Sequence, residues 1–277
     1  MEEKKSLWTK LVKSVGLQKL IALIALIVIF TFFAVSSESF RSFDTAVSIL
    51  DASYYIGFLA IGVTFVIITG GIDLSIGTVM MCSAIIGGVL HTKMGWPLWL
   101  ALLAILMIGG VFGLFNGILI AKFGLPPFIA TLGTMMISRG LSSIVSNVQS
   151  ITFPLRGTGE GWYKHLFRTQ DNLPTGLIVL IVVALLAAVV LNKTKVGRYI
   201  FAIGSNKEAT RLSGVNVIKW EGTAYVISGL LAGLAGIAYA ATYSTILPGT
   251  GNGMELDAIA GVVVGGTSLA GGVGSVI

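Results

Sequence analysis

Apolar runs of about the length that crosses a bilayer, roughly 20 residues, recur from one end of this chain to the other. They lie at residues 20–34, 46–69, 75–91, 97–121, 127–147, 174–191 and 222–243, and another begins at Met254. Such a chain folds as an all-α, polytopic transmembrane helix bundle, because in lipid a spanning backbone must satisfy its own amides. Composition agrees: 55% of the 277 residues are hydrophobic and 11% are charged, against about 25% charged in soluble domains. About eight helices are expected, in a single membrane domain over residues 20–277 that follows a basic segment at 1–19. The pairing of basic leader and first apolar run also fits a cleavable signal with Ala34-Val35-Ser36 as its site. The number of apolar runs that follow favours a first spanning helix.

The longest charged interruption is 192–221, NKTKVGRYIFAIGSNKEATRLSGVNVIKWE. Its Lys193, Lys195, Arg198, Lys207, Arg211 and Lys219 stand against Glu208 and Glu221, the basic excess of a cytoplasmic loop. Six crossings separate it from the N-terminus, which carries Lys4, Lys5, Lys10, Lys13 and Lys19. An even count puts both basic segments on one face, so the N-terminus is cytoplasmic and 148–173, nearly neutral with an interfacial Trp162 and Tyr163, is extracytoplasmic. Orientation thus accounts for the net charge of +6, and no nucleic-acid partner is needed.

Within 192–221, Ser205-Asn206-Lys207-Glu208 fits a capping box, and Gly214 fits a left-handed stop. A two-turn helix over 206–213 follows, with Ala209 and Leu212 on one face and Lys207 and Arg211 beside them. It either docks a soluble partner or packs on its own membrane domain. Ser205, Asn206, Lys207, Glu208, Ala209, Arg211, Leu212 and Gly214 are therefore the candidate coupling residues.

A second interruption is Gly70-Gly71-Ile72-Asp73-Leu74-Ser75-Ile76-Gly77. It reads as an interhelical turn capped by Asp73 or Ser75, or as a broken helix whose free amides and carboxylate line a pathway. Gly265–Gly272 echoes it, the trace of an internal repeat. In 127–147, Thr131, Thr134, Ser138, Ser142 and Ser146 fall three or four apart on one helix face. They line a polar passage, or they bond back to the preceding turn and are silent. Arg139 lies mid-helix in the same block and needs a partner at such depth; Asp73, Glu255 and Asp257 are the acids on offer. Gly109, Gly113 and Gly117, Gly229 with Gly233, and Gly261 with Gly265 are spaced as helix-packing seams.

Several chemistries have no residues to stand on. Cys82 is the lone cysteine, His91 and His165 have no ligand cluster, and no metal or cofactor is expected. No phosphate-binding G-x-x-x-x-G-K-[ST] loop occurs. Neither a nucleophile with a base nor a carboxylate pair is evident, so the chain reads as a non-catalytic membrane subunit. A passage without its own energy source borrows one, and the short helix near 207 is where a soluble motor would act.

Four stretches carry a resemblance: GGIDLSIG (70–77), PPFIATLGTMMISRGL (126–141), GRYIFAIGSNKEATRLSGVNV (197–217) and ELDAIAGVVVGGTSLAGGVGS (255–275). Together they resemble the permease subunits of bacterial ribose and galactose type ABC importers, from the second helix onward. The resemblance implies about ten transmembrane helices in the cytoplasmic (inner) membrane, with both termini cytoplasmic. It implies a second permease copy or a paralogous permease, an ABC ATPase pair contacting 206–217, and an extracytoplasmic sugar-binding protein. Relatives continue past Ile277 by roughly two helices, so a C-terminally truncated permease is expected. The cargo expected is a pentose or hexose. Branched-chain amino acids or nucleosides are the alternatives within the family, and an ion-coupled carrier using Asp73 or a non-transporting scaffold the alternatives outside it.

Overall fold

A computed structural model describes residues 17–169 and 173–276; the lysines of the first 16 residues and Asp171 lie outside them. The chain runs as α1 (Leu17–Ser36), α2 (Phe43–Ile68), α3 (Ile76–Thr92) and α4 (Leu98–Gly117), the last continuing through a π-turn at Ile118–Lys122. There follow α5 (Pro127–Ser146), α6 (Lys164–Phe167), α7 (Thr175–Lys193), α8 (Lys195–Ser205), α9 (Lys207–Leu212), α10 (Val217–Tyr243) and α11 (Met254–Val264). Six of these helices are long and apolar enough to cross a membrane. Their ends carry ordinary signals. Ser42 caps α2 by accepting from Thr45 N, Pro127 opens α5, and Asn147 in the left-handed region closes it.

Two short strands, β1 (Ile151–Thr152) and β2 (Thr245–Ile246), pair antiparallel and mark one end of the bundle. Lys164 lies there, almost fully buried, with Nζ donating to Ser244 Oγ; burial, then Arg168, pushes its ammonium below the usual lysine value. Tyr163, expected at an interface beside Trp162, is instead core, its hydroxyl donating to Ala240 O at 3.2 Å. Trp162 is exposed. The opposite end carries α8 and α9. Lys19 approaches Gly266 there, and Gly272 N donates to Ile68 O at 2.9 Å. The start of α1, the end of α2 and the 192–221 segment thus share one end, as the parity of crossings requires.

α10 is the central helix, packed against α4, α2 and α3. Its contact with α4 is backbone on backbone. A Cβ at Gly117 would stand 3.0 Å from Gly222 Cα, one at Gly233 would stand 2.7 Å from Ile105 O, and Gly109, Gly113 and Gly229 are tighter still. Close approach of this kind is what small residues allow between helices in lipid, where no hydrophobic effect drives association. Gly261 faces nothing within 4 Å, so the seam expected at Gly261 and Gly265 has no partner helix among the described residues.

The Gly70–Gly77 interruption is not a surface turn. After α2 the chain passes Gly70, at φ +84°, into the non-helical stretch 71–75, whose Asp73 and Ser75 are 1% exposed. α3 then starts deep in the bundle and supplies 17 residues, about 26 Å at 1.5 Å per residue. From the ribbon end, the chain re-enters through 247–253 before α11. Gly77 and Gly251 meet backbone to backbone, with Glu255 beside them. α3 and α11 therefore both begin inside the bundle and run to opposite ends. Gly265–Gly272, the stretch that echoes Gly70–Gly77, packs on it: a Cβ at Gly271 would lie 2.9 Å from Gly70 N.

Replacing Gly229 with valine is expected to lower stability by about 1–3 kcal/mol through overpacking, read as a fall in melting temperature in detergent. Gly261→Val, in open space, should leave it unchanged.

Candidate functional site

Three elements converge on the non-helical stretch 71–75. Asp73 Oδ1 accepts from Ser75 N at 3.0 Å and from Ser75 Oγ at 2.6 Å, while Oδ2 accepts from Ser228 Oγ of α10 at 3.3 Å. An aspartate hydrogen-bonding its own backbone two residues on is an Asx turn; it turns the chain into α3, with Ser75 already in the right-handed helical region. Asn116, near the end of α4, donates through Nδ2 to Ser75 Oγ at 2.9 Å and accepts through Oδ1 from Thr134 Oγ1 of α5. Ser138 Oγ donates to Thr78 Oγ1 at 2.8 Å, and Thr78 Oγ1 donates to Ser75 O at 2.9 Å. One polar network therefore joins α3, α4, α5 and α10 at the depth where α3 begins.

The hydroxyl face of α5 is the wall of this network. Thr131, Thr134, Ser138, Ser142 and Ser146 are at most 2% exposed. Thr131 reaches Ile72 O at 3.4 Å, and Ser142 Oγ accepts from Gly249 N at 3.1 Å. The Ser146 hydroxyl bonds back to Ser143 O, the silent behaviour open to any such hydroxyl. Arg139 Nε donates to Gly249 O at 3.2 Å, in the re-entrant turn. Among the described residues it forms no ion pair, for Asp73 is held by hydroxyls and Glu255 by Gly253 N. A peptide oxygen, and not a carboxylate, is its partner.

At the α9 end the segment 192–221 is two helices. α8 buries Ile200 and Ile203 against the bundle, which charge counting hides. The capping box read at Ser205 and Glu208 does not form: Ser205 is the last residue of α8, and Asn206 caps α9 by accepting from Ala209 N at 2.9 Å. Glu208 turns instead to Arg211, whose Nε donates to Oε2 at 3.0 Å. That hydrogen bond holds the Glu208 carboxyl below the usual carboxylate value. α9 ends as expected, with Gly214 at φ +81° and its amide donating to Arg211 O. Thr210 is its one buried residue; Leu212 is 74% exposed.

Asn116, Thr78, Ser228 and the Lys207–Glu221 pair were not singled out from sequence. Their signal was present as single polar residues inside apolar helices, where an amide or hydroxyl must find a partner.

Removing the amide of Asn116 in Asn116→Leu leaves the hydroxyls of Ser75 and Thr134 with fewer partners. A loss of about 1–3 kcal/mol is expected, measured as a lower melting temperature. In Arg211→Met the Glu208 carboxyl should titrate back near its usual 4.5, followed by carbon-13 chemical shift. The sign follows from the depressed folded value: whatever the pair contributes is present above 4.5 and disappears as pH falls through the folded value.

Comparison with known proteins gives the family. A family model described as the permease component of a branched-chain amino acid transport system matches residues 45–277. The ribose import permease of Escherichia coli K12 is 38% identical over 245 residues, 87% of this chain and 75% of that protein. The fructose import permease of Bifidobacterium longum is 37% identical over 236 residues, 82% of this chain and 68% of that protein. For the xylose transport system permease of Haemophilus influenzae the figures are 32% over 324 residues, 96% and 86%. No solved structure matches the chain. With its six apolar spanning helices, the chain belongs to the permease-component family of ABC import systems, the multi-pass subunits of the bacterial inner membrane.

Proposed function

We propose that this chain carries a monosaccharide, a pentose or hexose, across the inner membrane, driven by a separate ATPase that grips α9 from the cytoplasm. The observation that carries this is α9 itself: a capped helix at the basic end of the bundle, with Ala209, Arg211 and Leu212 exposed and hardly any surface spent on its own domain. A helix so short persists only with packing from elsewhere. The names of the relatives, ribose, fructose and xylose permeases, support a sugar as cargo. The N-terminus is then cytoplasmic, and the ribbon end with residues 148–173 faces the sugar-binding protein. A second permease copy or paralogue completes the unit in the lipid bilayer.

The path in this reading is the seam between α5 and α3, with Thr131, Thr134, Ser138, Ser142 and Ser146 on one wall, Asp73 at its base and Arg139 beside the re-entrant turn. An uncharged sugar presents hydroxyls, and a seam closed by hydroxyl–hydroxyl bonds can open by exchanging those bonds for bonds to the sugar. An apolar seam would lose contacts without replacement. ATP-driven displacement of α9 rocks the helices on either side of the seam, opening it alternately to each face. ATP is bound and split on the partner subunit, and this chain is not an enzyme. A branched-chain amino acid is the second reading, favoured by the description of the family model.

Two measurements decide. In vesicles reconstituted with the ATPase and binding protein, Glu208→Ala with Arg211→Ala should cut binding-protein-stimulated ATP hydrolysis at least tenfold; unchanged stimulation removes the docking assignment. Uptake of labelled ribose, fructose and xylose, with leucine alongside, ranks the cargo. Leucine alone entering would overturn the sugar.

A further inference from the structure

Beyond its buried Thr210, α9 is anchored to the bundle by one charged contact. Lys207 Nζ donates to Glu221 Oε1 at 2.8 Å, and Glu221, in the first turns of α10, is only 7% exposed. Its second oxygen, Oε2, is buried without a partner. Four residues further along α10, the Tyr225 hydroxyl is also buried without a partner, lying against Gly71. Three residues beyond, Ser228 donates to Asp73 Oδ2 at 3.3 Å. Spacings of four and three put Glu221, Tyr225 and Ser228 on one face of α10. That face leads from the docking helix to the non-helical 71–75 stretch where the polar network begins.

Two features set this stripe apart from packing. The neighbours of Tyr225 on buried α10 are Ala224, Gly229 and Ala232, and a lipid-embedded bundle has no need of a glutamate and a phenol among them. Moreover, two of the four unpartnered buried side-chain atoms among the described residues lie on it, although buried polar groups are ordinarily paired. A hydroxyl that can turn between a free glutamate oxygen one helical turn away and the Gly71–Asp73 backbone region has two arrangements to choose from.

We propose that Glu221 is the positioning residue that passes displacement of α9 into the membrane. Lys207 and Glu221 tie α9 to α10, and Tyr225 and Ser228 relay a shift of α10 to Asp73. The Tyr225 hydroxyl, free in this arrangement, takes Glu221 Oε2 as its acceptor in the other. When Asp73 moves, the Asx turn that sets the start of α3 moves with it, and the seam between α3 and α5 opens. This rests on α9 being the ATPase-docking helix.

The test uses the reconstituted complex of permease, ATPase and binding protein, reading solute moved per ATP hydrolysed and co-purification of the ATPase. Glu221→Gln and Tyr225→Phe should each lower transport per ATP at least tenfold while the ATPase still co-purifies. Should Glu221→Gln fail to fold, Tyr225→Phe decides, since it deletes only an unpartnered hydroxyl. Transport within twofold of wild type in Tyr225→Phe overturns the relay while leaving the docking role intact. A wild-type complex with no ATP-dependent uptake overturns both.

Discussion

Everything in this bundle is arranged around a stretch of backbone that has no helix to satisfy it. Residues 71–75 lie deep among the helices, and irregular chain is tolerated at such depth only when protein surrounds it. Hydroxyls and one amide from α4, α5 and α10 supply that surround, through Asn116, Thr134, Thr131 and Ser228. Four polar residues inside apolar helices are thus explained by a single requirement. The same requirement explains why α5 is the least apolar of the long helices: one of its faces answers to a partner that needs hydrogen bonds.

The centre of the molecule has a second property. α3 and α11 begin there, side by side at Gly77 and Gly251, and point to opposite ends. Helix N-termini carry unsatisfied amides and partial positive charge, and each has a buried acid at hand, Asp73 before α3 and Glu255 in the first turn of α11. Opposed helix starts concentrate polar backbone inside the bundle without exposing it to lipid, which is why such breaks occur where a membrane protein handles solutes.

Much of this was legible in the sequence. Seven apolar runs correspond to helices within a few residues at most boundaries, because length and hydropathy are local properties. Parity of crossings then placed the ends correctly relative to each other. The short helix after Ser205 and its Gly214 stop were legible too, although Asn206 and not Ser205 caps it; adjacent residues of similar capping ability cannot be ranked until the preceding helix is known to consume one of them. What stayed hidden was contact. Nothing in the spacing of Thr131 to Ser146 says that Asn116 waits opposite, or that Arg139 will choose Gly249 O over three available acids. Glu221 read as one more charge in a loop, whereas it is the buried start of the central helix.

The glycine seam between α4 and α10 has a mechanical meaning. Where side chains interdigitate, rotamers can change and helices can slide; where main chain lies on main chain, there is nothing to repack. α4 and α10 therefore move as one pair through the middle of the molecule: a shift of α10 carries α4 and its Asn116 with it, and the bundle rearranges along the softer lines where hydroxyls meet.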